Sequence, residues 1–159
     1  MVRQPIAEKL LSFAPAIDGA EALISSAQRS NIPIALVTSS DQASVMNKIT
    51  HHPWLGPWTT MVCGDDPELE AGKPGADPYL LAAKRLNVEP KLCWAFEDSE
   101  AGTQSATTAG CIVWRLINAG RLGVTDQPLA QQVKTGRLTL ISDLNEARQC
   151  LEALISTNG

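Results

Sequence analysis

The sequence predicts an α/β fold, a mainly parallel sheet with helices on both faces, and three observations carry that prediction. Apolar runs of strand length alternate with segments whose apolar residues recur at helical spacing, as right-handed crossovers between parallel strands require. The run Ile32-Pro33-Ile34-Ala35-Leu36-Val37 has no polar alternation, the mark of a strand covered on both faces. Finally, two of the runs end directly in polar clusters, which is where an open parallel sheet gathers its ligands.

Taken in order, the spacing predicts a first helix over about Ile6 to Phe13, stopped by Pro15. Asp18-Gly19 offers an N-terminal cap to a second helix, Ala20 to Arg29, whose Ala22, Leu23, Ile24 and Ala27 form a core-facing stripe. The strand at Ile32 to Val37 follows, then a helix near Ala43 to Ile49 and a short strand near Thr60 to Cys63. A helix from about Pro78 to Leu86 precedes a strand from Leu92 to Glu97, and a helix over Ala101 to Ala109 ends at Gly110 in the left-handed conformation. Cys111 to Leu116 resumes the sheet, 118–136 reads as a mobile loop, Leu138 to Ile141 as a small edge strand, and Leu144 to Ile155 as an amphipathic helix capped by Asp143.

With 159 residues, 44% of them hydrophobic and 19% charged, the chain has the make-up of one soluble domain able to bury a core. Its formal net charge of −4, with no long run of Lys or Arg, gives no footprint for a nucleic acid backbone. Its apolar runs fall well short of the roughly 20 residues of a membrane helix. Met1-Val2-Arg3-Gln4-Pro5 leads into no apolar signal region, so the cytoplasm is the expected compartment. Cysteines at 63, 93, 111 and 150 have no metal-type spacing and read as buried, reduced thiols.

Three places carry candidate chemistry. Thr38-Ser39-Ser40 closes the strand ending at Val37, where hydroxyls and successive backbone N–H groups can hold an anion; taken alone, the same residues with Asp41 make an ordinary helix cap. Gly72-Lys73-Pro74 presents an ammonium group from a loop of restricted conformation, although Asp65, Asp66, Glu68 and Glu70 would equally surround a solvated loop lysine. Phe96-Glu97-Asp98-Ser99 runs an apolar strand into paired carboxylates, costly to desolvate unless a cation or donors meet them. Hard oxygen ligands favour Mg2+, and because neighbouring strand residues point to opposite faces, Asp98 is assigned to the metal and Glu97 to its support. Asp98 as a helix cap is the competing reading of that stretch. His51-His52 lacks a further ligand at useful spacing and reads as surface loop, while Trp54 and Trp58 read as packing that loop onto the sheet edge.

In this order and these contexts, the three places resemble the haloacid dehalogenase (HAD) superfamily, in particular its β-phosphoglucomutase-like phosphatases, from about Pro15 to Leu116. The resemblance implies a HAD-like Rossmannoid sheet. It also implies that Thr38, with Ser39, binds the transferring phosphoryl group, that Lys73 neutralises the charge of phosphate and aspartate, and that Asp98 and Glu97 form the Mg2+ acid pair. Gly75-Ala76 stands where the family has Ala-Pro, a departure expected to alter only the loop.

The larger departure is at the front. Family members begin with a strand ending in Asp-x-Asp-Gly-Thr, whose first Asp attacks phosphorus, and no such string occurs in this sequence. The sequence therefore predicts an incomplete core over 15–159, with 1–14 a remnant of the helical cap and the central first strand missing. Unpaired backbone groups along the two facing edges would each cost roughly 1–3 kcal/mol if buried, against a total domain stability of roughly 5–15 kcal/mol. Three arrangements could meet that cost: the flanking strands close up, a partner segment fills the gap, or the chain is part of a longer protein; the third is the expectation. In its complete form the protein would be a Mg2+-dependent phosphatase or phosphomutase for a small phosphorylated metabolite, inactive as these residues alone. The competing function is a non-catalytic phosphate- or partner-binding module of degenerate fold.

Overall fold

The strands form two parallel sheets with a gap between them. In the computed structural model, which describes residues 16–56, 58–117 and 136–157, β1 (Ala35–Val37) pairs with β2 (Thr60–Val62) in the register Ala35 to Thr60 through Val37 to Val62. The second sheet runs β3 (Trp94–Glu97), β4 (Ile112–Leu116), β5 (Leu138–Ile141), all parallel, with Trp94 opposite Ile112 and Val113 opposite Leu138. Among the described residues, the inner edges of β1 and β3 pair with no strand. The edges are nevertheless held in one body, because Val37 of β1 packs on the same buried cluster as Ala95 of β3, Val113 of β4 and Leu138 of β5. The flanking strands have therefore not closed up. Among the described residues, the arrangement is that of a parallel sheet with no strand between β1 and β3.

Helix α3 (Asp77–Leu86) supplies the join. Its Tyr79 faces the β3–β4–β5 core, while Leu81 and Ala82 pack with Val62 of β2 and with Ala35 and Val37. Helix α4 (Glu100–Thr108) covers the same face through Ala106, with Ala109 just beyond its end, and Gly110 turns the chain at φ +91° as its position predicts. Strand alternation puts Ile141 opposite Leu138, and both are almost fully buried, so the other face is covered as well. On that side α5 (Leu144–Thr157) packs on β5 and on α1 (Ala20–Arg29). No helix among the described residues is long and apolar enough to cross a membrane.

Several local expectations are corrected. The run Ile32 to Val37 is a strand only over Ala35–Val37, which is half-buried throughout, while Ile32 and Pro33 are exposed; among the described residues no strand lies against its inner edge. Asp18 does not cap α1: the cap is Gly19 with no side-chain bond, and the Asp18 carbonyl instead accepts from the Leu144 N–H. Ala22 is exposed, and the buried positions of α1 are Leu23 and Ser26, because Ser26 turns toward α5 and donates to Glu152 at 2.8 Å. Pro90 starts a short 3-10 turn over Pro90–Leu92, which delays β3 to Trp94. Cys63 and Cys111 are buried free thiols and Cys93 is half-buried, but Cys150, on the outer side of α5, is exposed. The expected helix at Ile6 to Phe13, the cap remnant 1–14 and most of the loop 118–136 lie outside the described residues.

Helix α2 (Gln42–His51) is capped by Asp41, which accepts from Ser44 N–H at 2.8 Å, while Asp65 accepts from Gln42 N–H at 2.9 Å. The acidic loop after β2 is fixed by Arg85 of α3. Its guanidinium forks onto both oxygens of Asp66 at 2.6 and 2.9 Å, and also reaches Glu68 and the Met61 carbonyl. Arg85 holds the Asp66 carboxyl below its ordinary value of 3.8. A depressed folded-state value means the contribution is fully present above the unfolded value and fades as pH falls through the folded one. Arg85→Ala should lower stability by roughly 2 kcal/mol at neutral pH. In thermal melts of both proteins, the gap should narrow only as the pH drops below that carboxylate range.

Candidate functional site

The carboxyl ends of β1 and β3 meet at one lysine. Lys73 Nζ donates to the Val37 carbonyl at 3.2 Å and to Glu97 Oε1 in an ion pair, with the two side chains only 10% and 7% exposed. Val37 directly precedes Thr38, and Glu97 directly precedes Asp98. The three motifs singled out in the sequence, distant along the chain, therefore converge on one rim of the fold.

The Lys73 loop is held at both sides. Asp77 Oδ2 accepts from Ala71 N–H at 2.8 Å, Gly75 N–H donates to the Gly72 carbonyl at 2.9 Å, and Ser105 Oγ donates to the Gly75 carbonyl at 2.5 Å. The Lys73–Pro74 peptide is cis. Lys73 is thus a side chain fixed between two strand ends, not the solvated loop lysine of the alternative reading.

Glu97 is the most constrained acid at the site. Its Oε1 accepts from Lys73 and from the Tyr79 hydroxyl at 2.5 Å, and its Oε2 from Ser99 Oγ at 3.2 Å. Gly102, in the first turn of α4, lies against it so closely that any Cβ there would overlap the carboxylate. Burial, followed by the Glu97 charge, pushes the Tyr79 hydroxyl far above the ordinary tyrosine range, so Tyr79 remains a donor. With Glu97 so occupied, it acts at this rim as the counter-ion of Lys73. Asp98, in contrast, is exposed, and the helix cap it competed for is filled by Ser99, whose Oγ accepts from Gly102 N–H at 3.0 Å.

At the end of β1, the cap reading is likewise taken by Asp41. Thr38 Oγ1 accepts from Ser40 N–H at 3.1 Å, which leaves its own O–H free to donate, and Ser39 is exposed. Tyr79 and Ser99 are the donors to Glu97 for which the sequence suggested no role. A signal for them existed: a carboxylate buried at a strand end requires donors, and the nearest are the α4 cap and the first turn of α3. His51 and His52 have no place here; His51 Nδ1 contacts its own helix at the Asn47 carbonyl, and the described residues contain no cluster of three metal-ligating side chains.

Comparison with known proteins agrees with this geometry. The chain is 32% identical over 106 residues to a bifunctional riboflavin kinase/FMN phosphatase of Arabidopsis thaliana, covering 67% of this chain and 28% of that protein. It is 31% identical over 137 residues to (DL)-glycerol-3-phosphatase 2 of the same plant, covering 84% and 57%. A HAD family hydrolase from Deinococcus radiodurans R1 shares the fold with a TM-score of 0.71 at 23% identity, covering 92% of this chain and 64% of that one. The chain thus spans less than two thirds of each of these proteins. Residues 2–115 match the family described as haloacid dehalogenase-like hydrolases, and with its motifs gathered at one rim of a parallel α/β core, the chain belongs to that family.

Proposed function

We propose that this chain is the phosphate- and magnesium-holding part of a phosphatase or phosphomutase acting on a small phosphorylated metabolite, completed by a strand that carries the attacking aspartate. The observation that carries the reading is the fixed position of Lys73 between Val37 and Glu97. A lysine ammonium has three N–H donors; two are used there, and the third is left for a phosphoryl oxygen beside the Thr38 hydroxyl. Similarity to relatives named as phosphatases of FMN and of glycerol 3-phosphate supports a phosphate ester as substrate.

Asp98 fits a magnesium site. It is an exposed, hard oxygen donor at the same rim, and Mg2+ takes one or two protein carboxylates with water and phosphate for the rest. Asp98 would hold the ion and Glu97 would steady the site through Lys73; when bound, the ion supplies Lewis-acid stabilisation of phosphoryl charge. The open inner edges of β1 and β3 fit one further parallel strand, and β-strand addition would deliver the missing acid next to Lys73. Residues 1–14 are then the remnant of a cap, and the cytoplasm is the compartment proposed.

Calorimetric titration with inorganic phosphate and Mg2+ tests the reading. The 159 residues should bind phosphate, Lys73→Ala should weaken it at least about tenfold, and Thr38→Val should weaken it by roughly threefold to tenfold. No binding to the intact chain would overturn the site and leave the partner-binding module as the better account. Hydrolysis of an aryl phosphate should be absent for the chain alone. It should appear when an apolar strand peptide ending in Asp-x-Asp-Gly-Thr is added, and turnover without the peptide would show that another residue serves as nucleophile.

A further inference from the structure

Tyr79 has no role in the site as proposed so far, yet it touches both members of the ion pair on which that site depends. Its hydroxyl donates to Glu97 Oε1 at 2.5 Å, and the Lys73 ammonium sits over its ring, 5.2 Å from the centroid. It is the chain's only tyrosine, and it is 8% exposed, in the first turn of the helix that joins the two sheets. We propose that Tyr79 is a positioning residue for phosphate: by anchoring the Glu97 carboxylate and supporting the ammonium on its ring face, it aims the third N–H of Lys73 at the bound anion. The inference rests on the reading that Lys73 receives a phosphoryl oxygen.

Without the hydroxyl, Glu97 retains Ser99 Oγ on its other oxygen but can rotate about its terminal bond, and the lysine tied to it turns about its remaining bond to the Val37 carbonyl. Ring contact alone fixes height and not direction, since an ammonium is held by a π face without a preferred azimuth. The hydroxyl is what turns a salt bridge into an oriented donor. Ser99 cannot replace it, because its single O–H is already donated to the other carboxylate oxygen, Oε2.

Two measurements on the 159-residue chain with Mg2+ and inorganic phosphate test this. Tyr79→Phe should weaken phosphate about fivefold to tenfold in calorimetry while leaving the Lys73→Ala protein unaffected, the signature of action through Lys73. If Tyr79→Phe does not fold, biosynthetic 3-fluorotyrosine places a single 19F probe at position 79. Its resonance should shift with phosphate, saturating at the calorimetric affinity, and should not move in Lys73→Ala. Phosphate binding unchanged by Tyr79→Phe, or binding with a stationary 19F signal, would overturn the role of Tyr79 and leave the phosphate reading intact. Absence of phosphate binding by the unaltered chain would overturn both.

Discussion

The buried ion pair between Lys73 and Glu97 is the constraint on which the rest of the site depends. Each charge has been taken almost wholly out of water, and each would be expensive to leave alone, so the fold must keep them in contact. That requirement ties three chain segments together. The loop before α3 must bring Lys73 to the sheet, β3 must end with Glu97 turned inward, and α4 must begin with residues small enough to admit the carboxylate. Gly102 meets the last condition, and Ser99 meets it while supplying a donor.

The same pair explains how the molecule spans a gap in its sheet. Strands β1 and β3 share no ladder, yet Lys73 bonds the last residue of each, and α3 lies beneath both with Tyr79 on one side and Leu81 and Ala82 on the other. Helix packing and a single cation thus do the work that backbone hydrogen bonds do elsewhere. The cost is visible at β1, which is half-buried along its whole length despite an apolar sequence. The second sheet, complete on one side, buries Val113, Leu138 and Ile141 almost fully. Among the described residues, anchoring at the rim thus coexists with edges that pair with no strand further down.

Much of this was legible in the residues. Period and punctuation placed α1 at Ala20–Arg29 and β5 at Leu138–Ile141, and put Gly110 in the left-handed turn after α4, since each is decided by local backbone chemistry. Thr38 and Asp98 stood out because they directly follow apolar strands, Lys73 because Gly72 and Pro74 restrict its loop, and all three because together, in this order, they resemble one family's motifs. What failed were statements about who meets whom. Asp18 looks like a cap but its carbonyl serves Leu144, and the stripe on α1 is turned so that Ser26, a polar residue, is buried against Glu152. Neither partner is near in sequence, and no local pattern announces it.

By itself, the sequence determined the alternation of strand and helix, the family, and the identity of the rim residues, because these follow from side-chain period, turn chemistry and motif spacing. Only the tertiary structure decided that Glu97 is spent on Lys73, Tyr79 and Ser99 while Asp98 stays open, that Lys73 bridges two strand ends, and that the sheet is divided. These are outcomes of burial and of contacts between residues far apart in the chain, and they are settled when the whole core packs at once.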